Sequence, residues 1–153
     1  MKLSLNWLRT FINLPEDAVD IGEKITIHTA ELEEIINTSD LFSQIFVGKL
    51  INSKPHPDSD TLIIGTFDFG NKAKQIIFGN VHPLVINNCY PIALTGTQLP
   101  DGTKILDGKI RGEMSEGMVC HNGELGMKNT ELMNFHPEFI GKNLAEVSDI
   151  FTD

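Results

Sequence analysis

Only two cysteines, Cys89 and Cys120, occur in the 153 residues. One pair cannot build a disulfide framework, and no Cys-x-x-Cys or His-x-x-x-His spacing is present, so no metal site is expected. Both read as reduced thiols of a cytoplasmic protein. Cys120 and His121 are adjacent, which on a strand sends them to opposite faces and argues against a shared metal, and no pattern supports a nucleophilic Cys–His pair. Phosphate-binding glycine loops of the Walker or dinucleotide type are missing. No apolar run approaches the roughly 18 residues of a membrane span. The opening MKLSLNWLRTF carries Asn6 and Arg9 and no small-residue cleavage site, which excludes a signal peptide. Basic side chains are scarce, 12 against 21 acidic ones, for a net charge of −9. Phosphate contacts from Lys and Arg supply most non-specific nucleic-acid affinity. Any such contact must therefore use a local basic patch on an acidic molecule. With one Trp and one Tyr, no pair of exposed rings like that of an RNA-recognition sheet is evident.

What is present is an ordinary globular composition, 41% apolar and 22% charged. Residues 1–40 hold three basic and eight acidic side chains and read as helical or mixed. Ser4 caps a short helix bearing Leu5, Trp7, Leu8, Phe11 and Ile12. Pro15, Glu16 and Asp17 read as the first turn of a second helix, with Ala18, Ile21 and Ile25 as its buried stripe. Leu32–Ile36 favours a strand. Too small to be stable alone, this segment needs something to pack on.

From Ile45 onward short strands alternate with turns. Expected strands are Ile45–Asn52, Leu62–Phe69, Gln75–Phe78, Cys89–Leu94 and Met118–Cys120, with Thr103–Leu106 bracketed by Asp-Gly turns. Phe46, Phe67, Phe69 and Phe78 are core candidates. The fold class is mainly β (α+β overall). About five strands in roughly 100 residues is the size of an OB-fold, a partly open barrel.

Four stretches then stand out in order: HPDSDTL at His56–Leu62, QLPDGTKI at Gln98–Ile105, KIRGEMSEGM at Lys109–Met118 and VCHNGELGM at Val119–Met127. The first three resemble the tRNA-binding OB domain shared by several aminoacyl-tRNA synthetases and free-standing tRNA-binding proteins. The fourth, with MKLSLNWLRTFINLP and HTAELEEI at His28–Ile35, resembles the N-terminal region of the bacterial phenylalanyl-tRNA synthetase beta subunit. The resemblance implies three divisions: residues 1–40 as part of a small discontinuous α/β domain, 41–149 as the OB domain, and 150–153 as the start of the return segment. It implies tRNA for phenylalanine, the synthetase alpha subunit and the remaining beta subunit as partners, with no DNA and no membrane. ATP and Mg would serve the assembled ligase; this segment carries no class II active-site motif and no catalytic residue. Thr61 stands where the family often has Lys, and Phe78-Gly79-Asn80-Val81 replaces a Cys-Gly-Ala sequence.

Lys54, His56, Lys104, Lys109, Arg111 and Ser115 are the candidate RNA contacts. Strand alternation would turn Ile110 inward and leave Lys109 and Arg111 outward, spaced to bridge successive phosphates. Gly117 would allow close approach by a ligand, and Ser115 would offer its hydroxyl. Each has a plainer reading. Lys109 and Arg111 also fit a solvated strand face, His56 a turn, and Met118 a filler of the barrel end. A purely architectural barrel and a free-standing tRNA-binding protein remain the alternatives.

Overall fold

The computed structural model describes residues 4–29, 31–33, 35, 40, 42–100 and 102–147. Two helices come first. Ser4 Oγ accepts the Trp7 N–H at 3.0 Å and caps α1 (Leu5–Arg9). The helix stops before Phe11 and Ile12, both of which are exposed. The second helix, α2 (Ala18–His28), begins later than the proline suggested. Asp17 is its cap and bonds the N–H groups of Val19 and Asp20, so Pro15 and Glu16 precede it. The expected stripe is narrower too: Ile21 and Gly22 are buried, Ile25 is half-buried and Ala18 is exposed. Of the strand expected at Leu32–Ile36, residues Leu32, Glu33 and Ile35 have no regular structure; the other two lie outside the described residues, as do 148–153.

The barrel is built from β1 (Ile45–His56), β2 (Ser59–Asp68), β3 (Ala73–Gly79), β4 (Cys89–Leu94), β5 (Gly108–Ile110), β6 (Glu113–Ser115) and β7 (Gly117–Val119). Antiparallel pairing gives the order β3-β2-β1-β4-β7, with β5 and β6 as a separate hairpin. β1 is longer than its hydrophobic run because two register shifts, at Leu50/Asn52 and Pro55/His56, let it bend around the barrel and tolerate a proline near its end. β4 matches its expected bounds and is buried on both faces. Cys89 and Ala93 meet Ile45, Val47, Leu99 and Leu144 on one side. Tyr90 and Ile92 meet Leu50, Phe67, Phe69 and Ile76 on the other. Period-two alternation thus splits one strand between two cores. Each fully buried Ile or Leu contributes roughly 1.5–3 kcal/mol.

Sheet order alone would leave β3 and β7 as open edges. The last residue of β6 and Glu116 after it close them. Glu116 N donates to Gln75 O at 2.9 Å, and Ile77 N donates to Ser115 Oγ at 3.0 Å. The circuit is then β1, β2, β3, β6–β7, β4 and back to β1. A C-terminal stretch covers the outer core. It runs through a 3₁₀ turn (Pro137–Phe139) and α3 (Leu144–Val147), whose Leu144 is fully buried. It rejoins the first strand through an antiparallel bridge between Phe46 and Asn143. Thr103–Leu106, the stretch between the two Asp-Gly turn signals, is a loop tied back by the bridge between Gln98 and Lys104 and by backbone hydrogen bonds from Ile105 N to Thr97 O and from Gly96 N to Ile105 O, at 2.8 and 2.7 Å. Both cysteines are buried thiols outside any disulfide, and burial pushes the Cys89 thiol up. Among the described residues no helix is long and apolar enough to cross a membrane.

Candidate nucleic-acid interface

Two of the motifs meet in space. The β1–β2 turn carries His56 to Ser59, and the β5–β6 hairpin turns at Arg111-Gly112. Both turn residues have positive φ, 48° and 91°, as a two-residue hairpin of the primed type requires. The hairpin lies against the turn. His56 Nε2 donates to Ile110 O at 2.9 Å, while its Nδ1 accepts the Asp58 N–H at 3.1 Å. An acceptor at Nδ1 and a carbonyl partner at Nε2 fix the neutral Nε2–H tautomer. Arg111 Nη1 donates to Asp58 O at 2.8 Å.

This geometry revises the reading of several candidates. His56 is buried, 3% exposed, and its ring atoms are spent within the protein. Arg111 is not on a strand face beside Lys109; it occupies a turn, and its guanidinium clamps the neighbouring loop. Ile110 does not face the core; it is 40% exposed. Ser115 is also buried, donating to Gly117 O at 2.9 Å and accepting from Ile77 N. The close approach that Gly117 permits is to its own barrel: a Cβ there would sit 2.5 Å from Ala93 O. Lys54 and Lys109 are exposed near the joined loops, and neither is in an ion pair with another described residue. Lys104 is exposed in the Gln98 loop, and no described contact brings it to the others. Residues 54–60 and 107–113 together carry three cations and four carboxylates, so the patch is mixed rather than basic.

Two neighbours escaped the sequence reading. Lys74 pairs with Glu116 at 2.8 Å, and this ammonium holds the Glu116 carboxyl below its ordinary range. Glu116 also accepts the Gln75 N–H at 3.2 Å, so the ion pair straddles the barrel's closing seam. The other is a ring pair. His82, between β3 and β4, lies 5.4 Å from His121, after β7, centroid to centroid. Both line a cleft of about 320 Å³ with Leu62, Phe78, Ile110 and Met118. No signal in the sequence links two histidines 39 positions apart. Among the described residues no group of three or more His, Cys, Asp or Glu could hold a metal ion.

A five-position strand circuit with two loops locked over one end defines an OB-type barrel, the architecture whose loops and face bind oligonucleotides or oligosaccharides. Residues 45–141 match the family model described as "Putative tRNA binding domain", and the chain belongs to that family. It is 36% identical to the phenylalanine–tRNA ligase beta subunit of Clostridium acetobutylicum over 96% of this chain and 19% of that subunit. It is 31% identical to the corresponding subunit of Clostridium tetani over 98% of this chain and 20% of the subunit. The chain thus spans about one fifth of the curated relatives it matches. Among solved structures, a MetRS-related protein from Pyrococcus horikoshii aligns with a TM-score of 0.50 at 17% identity, covering 72% of this chain and 98% of that one. That likeness supports the barrel fold.

Proposed function

We propose that this chain is a non-catalytic tRNA-binding module of a phenylalanyl-tRNA synthetase beta subunit, acting in the cytoplasm. Its support for the ligase is to hold tRNA for phenylalanine while ATP- and Mg-dependent chemistry proceeds on the alpha subunit. The observation that carries this reading is the joining of the β1–β2 turn to the β5–β6 hairpin on a barrel of the tRNA-binding family. Rigid loops hold a phosphate-binding surface in register without an ordering cost at binding. Lys54 and Lys109 are its cations without an ion pair among the described residues, and Arg111 has further N–H groups beyond the one it gives to Asp58.

A second reading is architectural, with the barrel packing on the rest of the synthetase and touching RNA little. The net charge of −9 and the internal use of His56 and Ser115 favour it. Electrophoretic titration of the chain with phenylalanine tRNA at low salt separates the two. Binding that weakens as salt rises supports the first reading. No shift at protein concentrations near about 100 μM, where non-specific binding is expected, removes it. Lys109→Glu should lower affinity and flatten the salt dependence by about one counterion, leaving the melting temperature unchanged. Unaltered affinity with lowered stability would favour the architectural role.

A further inference from the structure

We infer that the cleft at the barrel mouth is a subsite for one unstacked nucleobase of a single-stranded RNA segment, with the His82 ring as its stacking platform. This rests on the tRNA-binding reading and names where a base, rather than a phosphate, is held. The cleft opens between the ends of β3 and β7. Phe78, Leu62 and Met118 give it apolar walls, and His82, His121 and Glu124 give it a polar edge. Its volume of about 320 Å³ lies at the low end of small-molecule sites, as a single base requires. His82 is exposed while lining the cleft, and its ring is tilted 58° from that of His121, so the two rings do not stack flat on each other. Val81 beside it is 81% exposed.

The polar edge is already oriented. Glu124 Oε2 accepts the His121 N–H at 2.6 Å and lies 3.5 Å from His121 Nδ1. This fixes a carboxylate at the cleft, an acceptor suited to the exocyclic amine of cytosine, adenine or guanine. Uracil has no such amine.

The cleft is continuous with the joined loops. Ile110 lines it, while the Ile110 carbonyl accepts from His56 and its chain neighbours are Lys109 and Arg111. A base seated against Ile110 would place its flanking phosphates toward those cations. Lys109 and the remaining N–H groups of Arg111 are the donors those phosphates would meet within the mixed patch. Single-stranded RNA is held in this way elsewhere, by stacking platforms beside a cationic track.

Hexacytidylate is the probe, since cytosine carries the amine and unstacks readily from its neighbours. The 153-residue chain is titrated with hexacytidylate and, in parallel, with phenylalanine tRNA, following the ring C–H signals of all five histidines by NMR. The expected result is that His82 and His121 shift on hexacytidylate while buried His56 does not. His82→Ala should weaken hexacytidylate about fivefold or more, and His82→Phe, which keeps a platform without the imidazole, should restore most of the loss. Hexauridylate should bind several-fold more weakly than hexacytidylate. Binding of tRNA with no response of His82 or His121 to hexacytidylate overturns the subsite and leaves the tRNA reading standing. No binding of either RNA overturns both. Equal affinity of the wild type and His82→Ala for hexacytidylate also overturns the subsite.

Discussion

His56 and Ile110, 54 positions apart, are joined by one hydrogen bond of 2.9 Å between a buried imidazole and an edge-strand carbonyl. The bond makes two motifs one surface. Its donor is shielded from water, and its partner nitrogen is held by the turn's own backbone.

Replacing His56 therefore acts on stability first and on RNA second. His56→Ala removes a buried ring and its hydrogen bonds to the Asp58 N–H and the Ile110 carbonyl. The expected loss is about 2–4 kcal/mol. Urea denaturation checks it, and amide exchange should rise in the 108–115 hairpin while β4 stays protected.

Ser115 is the clasp of the closing seam. Ser115→Ala leaves the Ile77 N–H without its acceptor inside the barrel, and the expected cost is about 1–3 kcal/mol. Ser115→Thr keeps the oxygen but adds a methyl in a packed site. A chemical-denaturation series comparing the two separates the bond from the packing.

Gly117 faces a backbone rather than a ligand. With Ala93 O only 2.5 Å from where a Cβ would stand, Gly117→Ala must push β7 from β4. Overpacking of this kind costs about 1–3 kcal/mol. Thermal unfolding should register the loss, with no gain in stability from the reduced backbone freedom of the unfolded chain.

Acid should loosen the same seam. Glu116 titrates below its ordinary value of 4.5 because Lys74 stabilises its charged form. A lowered folded-state pKa contributes stability that is fully present above that ordinary value. It is lost as the pH falls through the folded one. The Glu116 side chain is 42% exposed, so screening limits the contribution to about 0.5 kcal/mol. Glu116→Gln should abolish that part of the acid sensitivity, read as the difference in urea midpoint between pH 6 and the acid limb.

Local rules carried much of the fold into view. The Ser4 cap needs only the next three residues, and β4 announces itself as a buried apolar run between turns. The β5–β6 hairpin did not, because its strands have three residues each and the first of its two positive-φ turn positions holds an arginine rather than asparagine or glycine. A strand alternation argument put Arg111 outward beside Lys109, and the turn broke that alternation. Ser115 and His56 were legible as motif residues but not as buried ones. Their burial depends on partners at Ile77 and Ile110, far along the chain. The cleft histidines belong to two loops that only barrel closure brings together.

The bridge between Phe46 and Asn143 has a topological consequence. Residues paired this way have Cα atoms about 4.5–5.5 Å apart. The polypeptide thus enters and leaves the barrel through a single doorway. A unit of that kind can be spliced into a surface loop of a host domain, whose own chain need open by only the width of one strand pair to admit it.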